Sequence, residues 1–188
     1  KVTPHVSVSA WLDARFASEE HAHDTFSVSQ QMALARGTLV HRYLELWDFS
    51  KEKAPEVNAF LSREYPQFRE DVEWIEYLGG VAKALRASEI YGVLNDEGPL
   101  RRELPLLVSL EGRWISGTID VLTHANTIVD YKTGAYRAES LGRYEMQLTL
   151  YADAVERLSG NRPSNALLYF VDSGQVHRVD VSGSLFSG

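Results

Sequence analysis

The chain has 188 residues, no cysteine, and 19 Lys and Arg against 26 Asp and Glu, which gives a formal net charge of −7. The missing cysteine excludes disulfide bonds, a thiolate nucleophile, cysteine-bound zinc and an iron–sulfur cluster. The negative charge argues against binding of nucleic acid by bulk electrostatics, and the length favours a single domain, residues 1–188.

The first half of the chain is predicted to be helical. Ser27 or Ser29 can cap a helix that ends near Trp47, and Pro55 fits the start of a second helix. A third helix is predicted over residues 68–87. Helical spacing assigns the apolar faces of the first and third helices to Met32, Val40, Tyr43, Leu44, Trp47, Val72, Ile75, Leu78, Ala82 and Leu85.

The second half of the chain has the β-branched and aromatic runs of strands, interrupted by turn residues. Five strands are predicted, over residues 104–110, 114–122, 127–132, 166–172 and 176–181. An amphipathic helix over residues 139–158 separates the third strand from the fourth, and Gly160 fits its C-cap. Its apolar stripe consists of Leu148, Tyr151, Ala152, Val155 and Leu158. This order predicts an α/β or α+β fold with a central mixed β-sheet flanked by helices.

These elements divide the chain into a mainly helical part, residues 27–100, and a part with the sheet and the last helix, residues 101–181. The chain begins at Lys1 and ends in a Ser- and Gly-rich segment, so we expect a domain excised from a longer protein. It has no phosphate-loop motif, no apolar run long enough to cross a membrane, and no signal peptide. We therefore expect no ATP site, no membrane contact and a cytoplasmic location.

Two aspartates and a lysine stand on neighbouring predicted strands. If the turn between these strands is symmetric, Asp120 faces Asp130. Lys132 then faces Thr118 and lies on the same side of the sheet as Asp130. Facing carboxylates repel each other, so a cation between them is favoured. Oxygen ligands without sulfur favour Mg²⁺ or Mn²⁺, and a lysine beside such a metal can hold a water for attack on a phosphodiester.

The alternative is a surface hairpin with solvated aspartates, because a bare Asp-x-Lys tripeptide is common. The neighbouring residues argue against this alternative. Ile119 precedes Asp120, and Ile128 and Val129 precede Asp130, so both strands are half buried. A charge at that depth needs a partner.

Polar residues on two helices extend the candidate site. Gln147 and Tyr151 are four residues apart on one face of the last helix, with Arg143 one turn earlier. The alternative is a helix with an ordinary polar edge and Tyr151 in the core. In the first helix, Gly37 and His41 have the same spacing. A glycine inside a helix costs about 1 kcal/mol relative to alanine, so Gly37 is expected to permit a close approach.

The sequence leaves two interpretations open for His41 and two for Glu103. His41 is either a metal ligand or a solvated histidine that pairs with Glu45, four residues later. Glu103, at the start of a strand, is either a third acidic ligand or an exposed edge residue.

Taken together, the motifs resemble a known family. In chain order they are Gly37-x-x-x-His41, Glu103, Gly117-x-x-Asp120, Asp130-Tyr131-Lys132-Thr133 and Gln147-x-x-x-Tyr151. This set resembles the RecB-type nuclease domain of the PD-(D/E)XK superfamily, and within it the C-terminal nuclease domains of RecB- and AddA-like helicase–nucleases. Five motifs in this order are far more specific than any one of them. The resemblance implies the restriction-endonuclease-like fold.

The resemblance also implies roles for individual residues. The metal ligands correspond to His41, Asp120, Asp130 and the Tyr131 carbonyl, with Glu103 as an additional active-site acid. The catalytic group corresponds to Asp120, Asp130, Lys132, Gln147 and Tyr151, with Lys132 as the catalytic lysine. The residues expected to contact DNA are Gln147, Tyr151, Arg143 and Thr133.

The function implied is a Mg²⁺- or Mn²⁺-dependent DNase, similar to exodeoxyribonuclease V, in DNA end processing and recombinational repair. The zero cysteine count fits the branch of the family without an iron–sulfur cluster. The implied partners are a DNA single strand or duplex end, a UvrD/RecB-like helicase motor in the same bacterial parent chain, and a RecC- or AddB-like subunit. One alternative is a catalytically degenerate nuclease fold that only binds DNA or a partner. Another is an unrelated domain with a chance string of motifs.

Overall fold

The computed structural model describes residues 5–16, 28–51, 53–134 and 136–186. Within them, six strands form one mixed sheet with helices on both faces. The strands are β1 (His5–Ser7), β2 (Arg101–Leu110), β3 (Arg113–Leu122), β4 (Thr127–Lys132), β5 (Asn165–Phe170) and β6 (Gln175–Val179). The helices are α1 (Val8–Phe16), α2 (Val28–Glu45), α3 (Val57–Glu64), α4 (Val72–Arg86), α5 (Glu89–Asp96) and α6 (Leu141–Ser159). The predicted central mixed sheet flanked by helices is confirmed.

β3 is the strand around which the sheet is organised. It pairs antiparallel with β2 from Arg113 to Leu122, with an interruption at Asp120. On its other edge it pairs parallel with β1 at residues 114–116 and antiparallel with β4 at Val121 and Leu122. Between these two ladders, residues 117–120 have no partner on that edge among the described strands. β4 diverges from β3 at this point and continues parallel to β5, which pairs antiparallel with β6.

The ladder between β3 and β4 has the predicted register but is shorter than predicted. It ends after two residue pairs, before Asp120. The predicted cross-strand pair of Asp120 with Asp130 is therefore wrong, and so is that of Thr118 with Lys132. The physical reason is that the Tyr131 N–H donates to the Asp120 carboxylate, at 2.7 Å, where a strand carbonyl would otherwise accept. A cleft opens between the two strands.

The three predicted N-terminal helices exist with shifted bounds. Ser27 lies outside the described residues, and Ser29 lies inside α2 and is not its cap. α3 is capped by Glu56, whose carboxylate accepts two backbone N–H groups of the first turn. α4 begins behind Asp71, because residues 66–68 form a separate 3-10 helix. Gly160 ends α6 in the left-handed conformation, as predicted.

Three apolar residues are more exposed than predicted, and three short elements were not predicted. Met32, Val72 and Leu158 were expected on apolar faces but expose 57%, 64% and 74% of their surface. Each lies near an end of its helix, beyond the part that packs on the sheet. β1, α1 and α5 were not predicted, because each is short and shows no clear period. The equally short α3 was predicted because it follows Pro55.

The sheet separates two hydrophobic cores. α1 and α6 cover one face, where Trp11 and Leu12 pack in the same cluster as Leu148. α2 to α5 cover the other face, where Tyr43 and Trp47 are fully buried. In the described part of the chain, no helix combines the length and apolarity that a membrane span requires.

Candidate active site

The predicted site residues lie in and around the cleft where β4 leaves β3. At Asp120, the side chains of β3 switch from one face of the sheet to the other. Ile119 packs in the core beneath α6, whereas Val121 packs in the core beneath α2, so Asp120 stands at a kink. The cleft is therefore bordered by α2 on one side of the sheet and by α6 on the other.

On the α2 side, three potential metal ligands converge. One ligand atom each of His41, Glu103 and Asp120 lies within 4.8 Å of the other two. His41 Nδ1 is 3.2 Å from an Asp120 oxygen, and His41 Nε2 is 3.1 Å from the Tyr131 carbonyl oxygen. The Tyr131 backbone thus contacts Asp120 through its N–H and His41 through its carbonyl. This is a hard oxygen donor set with one imidazole.

The charges of this cluster act on His41. Burial lowers the pKa of the imidazole, but the hydrogen bond to Asp120 and the charges of Asp120 and Asp130 outweigh it, so the pKa lies above its ordinary value. Lys132 acts in the opposite direction. The oxygen atoms beside both ring nitrogens therefore favour a positive charge at this position. The same negative surroundings would also favour a divalent cation.

Glu103, the third residue of β2, has a left-handed backbone, with φ +46°. β2 keeps its register with β3 on both sides of Glu103, which stands across from Asp120 at the kink. Such a conformation costs about 1–3 kcal/mol for a non-glycine residue and is typical of functional sites. Burial and the charge of Asp120 raise the pKa of Glu103. A cation between the two carboxylates would remove that repulsion.

On the α6 side, Asp130 and Lys132 join the predicted helix motif. Lys132 Nζ is 2.6 Å from Asp130 Oδ2 and donates to Gln147 Oε1 at 3.0 Å. Gln147 Nε2 donates to the Tyr151 hydroxyl at 2.8 Å and reaches Asp130 Oδ1 at 3.4 Å. The amide of Gln147 therefore connects the lysine, the aspartate and the tyrosine.

The buried carboxylate of Asp130 has an oxygen that could bind a cation. It is 2% exposed, and burial raises the pKa of its carboxyl despite the neighbouring Lys132. Oδ2 contacts the lysine ammonium without a well-directed hydrogen bond to any described residue. A buried carboxylate oxygen of this kind fits a cation.

The five predicted ligands thus form two adjacent groups. His41, Glu103 and Asp120 are one cluster, and the Tyr131 carbonyl lies against its histidine. Asp130 is not in that cluster among the described residues and pairs with Lys132 instead.

The predicted DNA contacts occupy different places. Thr133 lies close to α2, since a Cβ on Gly37 would stand 3.3 Å from its Oγ1. Gly37 thus permits a close approach, as predicted. Arg143 turns away toward α1 and pairs with Asp13 at 2.6 Å. Its role toward DNA stays a prediction.

The two groups open into a groove of about 880 Å³. Its wall includes His41, Glu103, Lys132, Thr133, Tyr65 and Tyr144. Tyr65 and Tyr144 were not among the predicted site residues. For Tyr144 a signal existed, because it stands one helical turn before Gln147 and shares its face.

The sequence of this chain is similar to those of known nucleases. Residues 12–184 match the model of the PD-(D/E)XK nuclease superfamily. An ATP-dependent helicase/nuclease subunit of Listeria welshimeri is 29% identical over 133 residues, which cover 53% of this chain and 11% of that protein. The protein of the same name from Bacillus pumilus is 29% identical over 130 residues, 62% of this chain and 10% of that protein. The match thus spans about a tenth of the length of these relatives.

A solved structure shows the same fold. The crystal structure of a putative exonuclease from Eubacterium rectale superposes with a TM-score of 0.63 at 15% identity, over 95% of this chain and 73% of that one. The predicted restriction-endonuclease-like fold and the resemblance to AddA- and RecB-type helicase–nucleases are confirmed. The chain belongs to the PD-(D/E)XK nuclease superfamily.

Proposed function

We propose that this chain is the catalytic nuclease domain of a bacterial helicase–nuclease and hydrolyses DNA phosphodiesters with Mg²⁺ or Mn²⁺. The observation that carries the proposal is the convergence of His41, Glu103 and Asp120 beside the Asp130–Lys132 pair at the β3–β4 cleft. A degenerate binding module would not need this complete set of charged groups in a half-buried cleft.

The residues that would hold the cation are His41, Asp120, Asp130, the Tyr131 carbonyl and Glu103. They fit a divalent ion, because carboxylate and carbonyl oxygens with one imidazole suit Mg²⁺ and Mn²⁺. When bound, the ion supplies charge neutralisation at the scissile phosphate and a lower pKa for a nucleophilic water.

The protein's own groups orient the reactants. Lys132 carries the positive charge nearest Asp130 and would hold the attacking water and stabilise charge that develops on the phosphate. Gln147 restrains Lys132 through Oε1, and its Nε2 holds the Tyr151 hydroxyl, so these side chains are positioned before substrate arrives. Thr133 and Arg143 are the proposed additional DNA contacts.

The relatives support a wider context for this domain. Their shared name, ATP-dependent helicase/nuclease, supports a DNA substrate, single-stranded or at a duplex end, and a helicase motor in the same parent chain. A RecC- or AddB-like subunit is the further proposed partner, exonucleolytic end processing in recombinational repair is the proposed role, and the cytoplasm is the proposed location.

Replacement of the catalytic lysine tests the proposal. Lys132→Ala is expected to reduce Mg²⁺-dependent cleavage of linear DNA at least 100-fold, because one transition-state donor is lost. The matched control is Lys51→Ala, which removes an exposed lysine paired with Asp48 and should leave cleavage unchanged. Circular dichroism checks that both variants fold. Cleavage by Lys132→Ala at the parent rate would refute the assignment.

Calorimetric titration with Mn²⁺ separates an enzyme from a degenerate binding module. The parent protein is expected to bind Mn²⁺, and Asp120→Asn to bind it at least tenfold more weakly, since a charged donor becomes neutral. A parent protein that binds DNA but neither Mn²⁺ nor Mg²⁺ would support the binding module instead.

A further inference from the structure

Three side chains of the described residues contact the ammonium of Lys132. Asp130 Oδ2 lies 2.6 Å from Nζ, and Gln147 Oε1 accepts a hydrogen bond from it at 3.0 Å. The third neighbour is the ring of Tyr144, whose centroid lies 4.7 Å from Nζ. This distance is within the range of a cation–π contact, in which the electron-rich face of the ring attracts a cation.

The Tyr144 ring is itself fixed. It stands on α6 one turn before Gln147, so the ring and the amide reach Lys132 from the same helix. The ring packs in a T-shaped arrangement with that of Phe170 at the end of β5, with centroids 6.2 Å apart and an interplanar angle of 60°. Phe170 is 2% exposed, which gives the tyrosine a rigid support.

The ring and the carboxylate contact the ammonium in different surroundings. Asp130 alone would draw the ammonium into the buried side of the cleft, where the aspartate is almost fully enclosed. Tyr144 lines the groove together with Lys132, so an ammonium over its ring stays at the groove wall. A substrate phosphate in the groove can reach the lysine at that wall.

We propose that Tyr144 is a positioning residue, whose aromatic face holds the Lys132 ammonium at the groove in the orientation that catalysis uses. The inference rests on the proposed nuclease function and adds a specific role to a residue outside the five motifs. It assigns the role to the ring and not to the hydroxyl.

A set of three variants tests the ring. Tyr144→Phe keeps the ring and should cleave DNA within about twofold of the parent rate. Tyr144→Leu removes the ring and should lower kcat about tenfold with KM within about twofold, because the loss affects the transition state more than binding. The matched control is Tyr136→Leu, since Tyr136 packs against the same Phe170, with centroids 5.1 Å apart.

Nuclear magnetic resonance tests the contact without any activity. The chain has five lysines, so protein with ¹³C-labelled lysine side chains gives a spectrum that Lys132→Arg assigns by the loss of one signal. The ε-methylene protons of Lys132 should be shifted upfield by the ring in the parent and in Tyr144→Phe. The shift should vanish in Tyr144→Leu and persist in Tyr136→Leu.

The outcomes separate this inference from the proposed function. A parent protein that fails to cleave DNA contradicts the proposed function, and the lysine spectrum then still decides whether the ring contact exists. A parent that cleaves, with Tyr144→Leu equally fast, overturns the positioning role alone. Equal losses in Tyr144→Leu and Tyr136→Leu, or a full loss in Tyr144→Phe, also overturn it, because packing or the hydroxyl would then be responsible.

Discussion

Three carboxyl groups of the cleft, those of Glu103, Asp120 and Asp130, lie beside His41 and Lys132. Burial is the largest contribution that raises the pKa of Asp130 and of Glu103, and the charge of Asp120 adds to both. A group whose pKa is raised in this way destabilises the fold while it is ionised. The ionised carboxylates of the site therefore lower the free energy of unfolding, but they give a charge distribution that suits a cation.

Glu103→Gln distinguishes the two interpretations of Glu103. As a ligand, Glu103 contributes charge, so the neutral amide should weaken Mn²⁺ binding about tenfold in calorimetry. The same change removes a repelled, partly buried carboxylate, so the Tm measured in EDTA should rise or stay constant.

Glu111→Gln is the matched control for this prediction. Glu111 also has a left-handed backbone, with φ +54°, but it lies in the β2–β3 turn and pairs with Arg15. Its replacement should not change Mn²⁺ affinity. Equal Mn²⁺ binding by Glu103→Gln and the parent protein would identify Glu103 as an edge residue.

The sequence could predict which residue types meet in the cleft but not the detailed contacts. Period-two spacing correctly placed Lys132 beside Asp130, and period-four spacing correctly placed Gln147 beside Tyr151. The contact between the two pairs was implied by the family resemblance and not by spacing. Spacing could not decide between Arg143 and Tyr144, since both lie about one turn before Gln147. The neighbouring α1 decides, because its Asp13 attracts the arginine.

At the level of secondary structure, the cleft forms where one edge of β3 is unpaired among the described strands. Residues 117–120 lack a partner on that edge among the described strands, so α1 and α6 can approach the backbone there. Gly117 permits this approach. A Cβ at this position would stand 2.7 Å from Val8 Cγ2 and 3.3 Å from Tyr151 Cε1.

Gly117→Ala is expected to destabilise the protein by about 1–3 kcal/mol, because buried Val8 and Tyr151 must both shift. The displacement of Tyr151 should also lower cleavage. Urea denaturation measures the first effect, and a DNA cleavage assay measures the second.

Gly80→Ala provides the control for the glycine substitution. Gly80 lies inside α4, and a Cβ there meets nothing within 4 Å. Alanine at this position should stabilise the protein by about 0.5–1 kcal/mol through helix propensity. A Gly117→Ala variant as stable as the parent would show that α1 and α6 tolerate a side chain between them.

The long elements were predicted, and the three elements that were missed, β1, α1 and α5, are short. The strands β2 to β6 and the helices α2, α4 and α6 carry enough residues for their period to show. α1 has nine residues and α5 eight, and their place depends on contacts with distant parts of the chain. The divergence of β4 from β3 also depends on a distant contact, the side chain of Asp120 on the Tyr131 N–H.

At the level of the whole molecule, Arg162 connects the C-terminal segment, residues 181–186, to α6. The Arg162 guanidinium contacts Asp153 at 2.7 Å and Glu156 at 2.6 Å. It also donates to the carbonyl oxygens of Val181 and Gly183. Asp153 is 2% exposed and accepts a further hydrogen bond from a backbone N–H of the segment, at 2.8 Å.

Arg162→Ala should therefore destabilise the protein by about 3–5 kcal/mol, because it leaves the Asp153 charge buried without its cationic partner. The arginine follows α6 at the end of the sheet opposite Lys132, so Mn²⁺ affinity measured well below Tm should stay at the parent value.

Arg178→Ala is the comparison for this prediction. Its ion pair with Glu89 is exposed on both sides, so its loss should change stability by less than about 1 kcal/mol. If Arg162→Ala and Arg178→Ala unfold at the same urea concentration, Arg162 does not anchor the C-terminal segment. If Arg162→Ala loses Mn²⁺ affinity while still folded, this end of the molecule is coupled to the cleft through α6, which carries both Asp153 and Gln147.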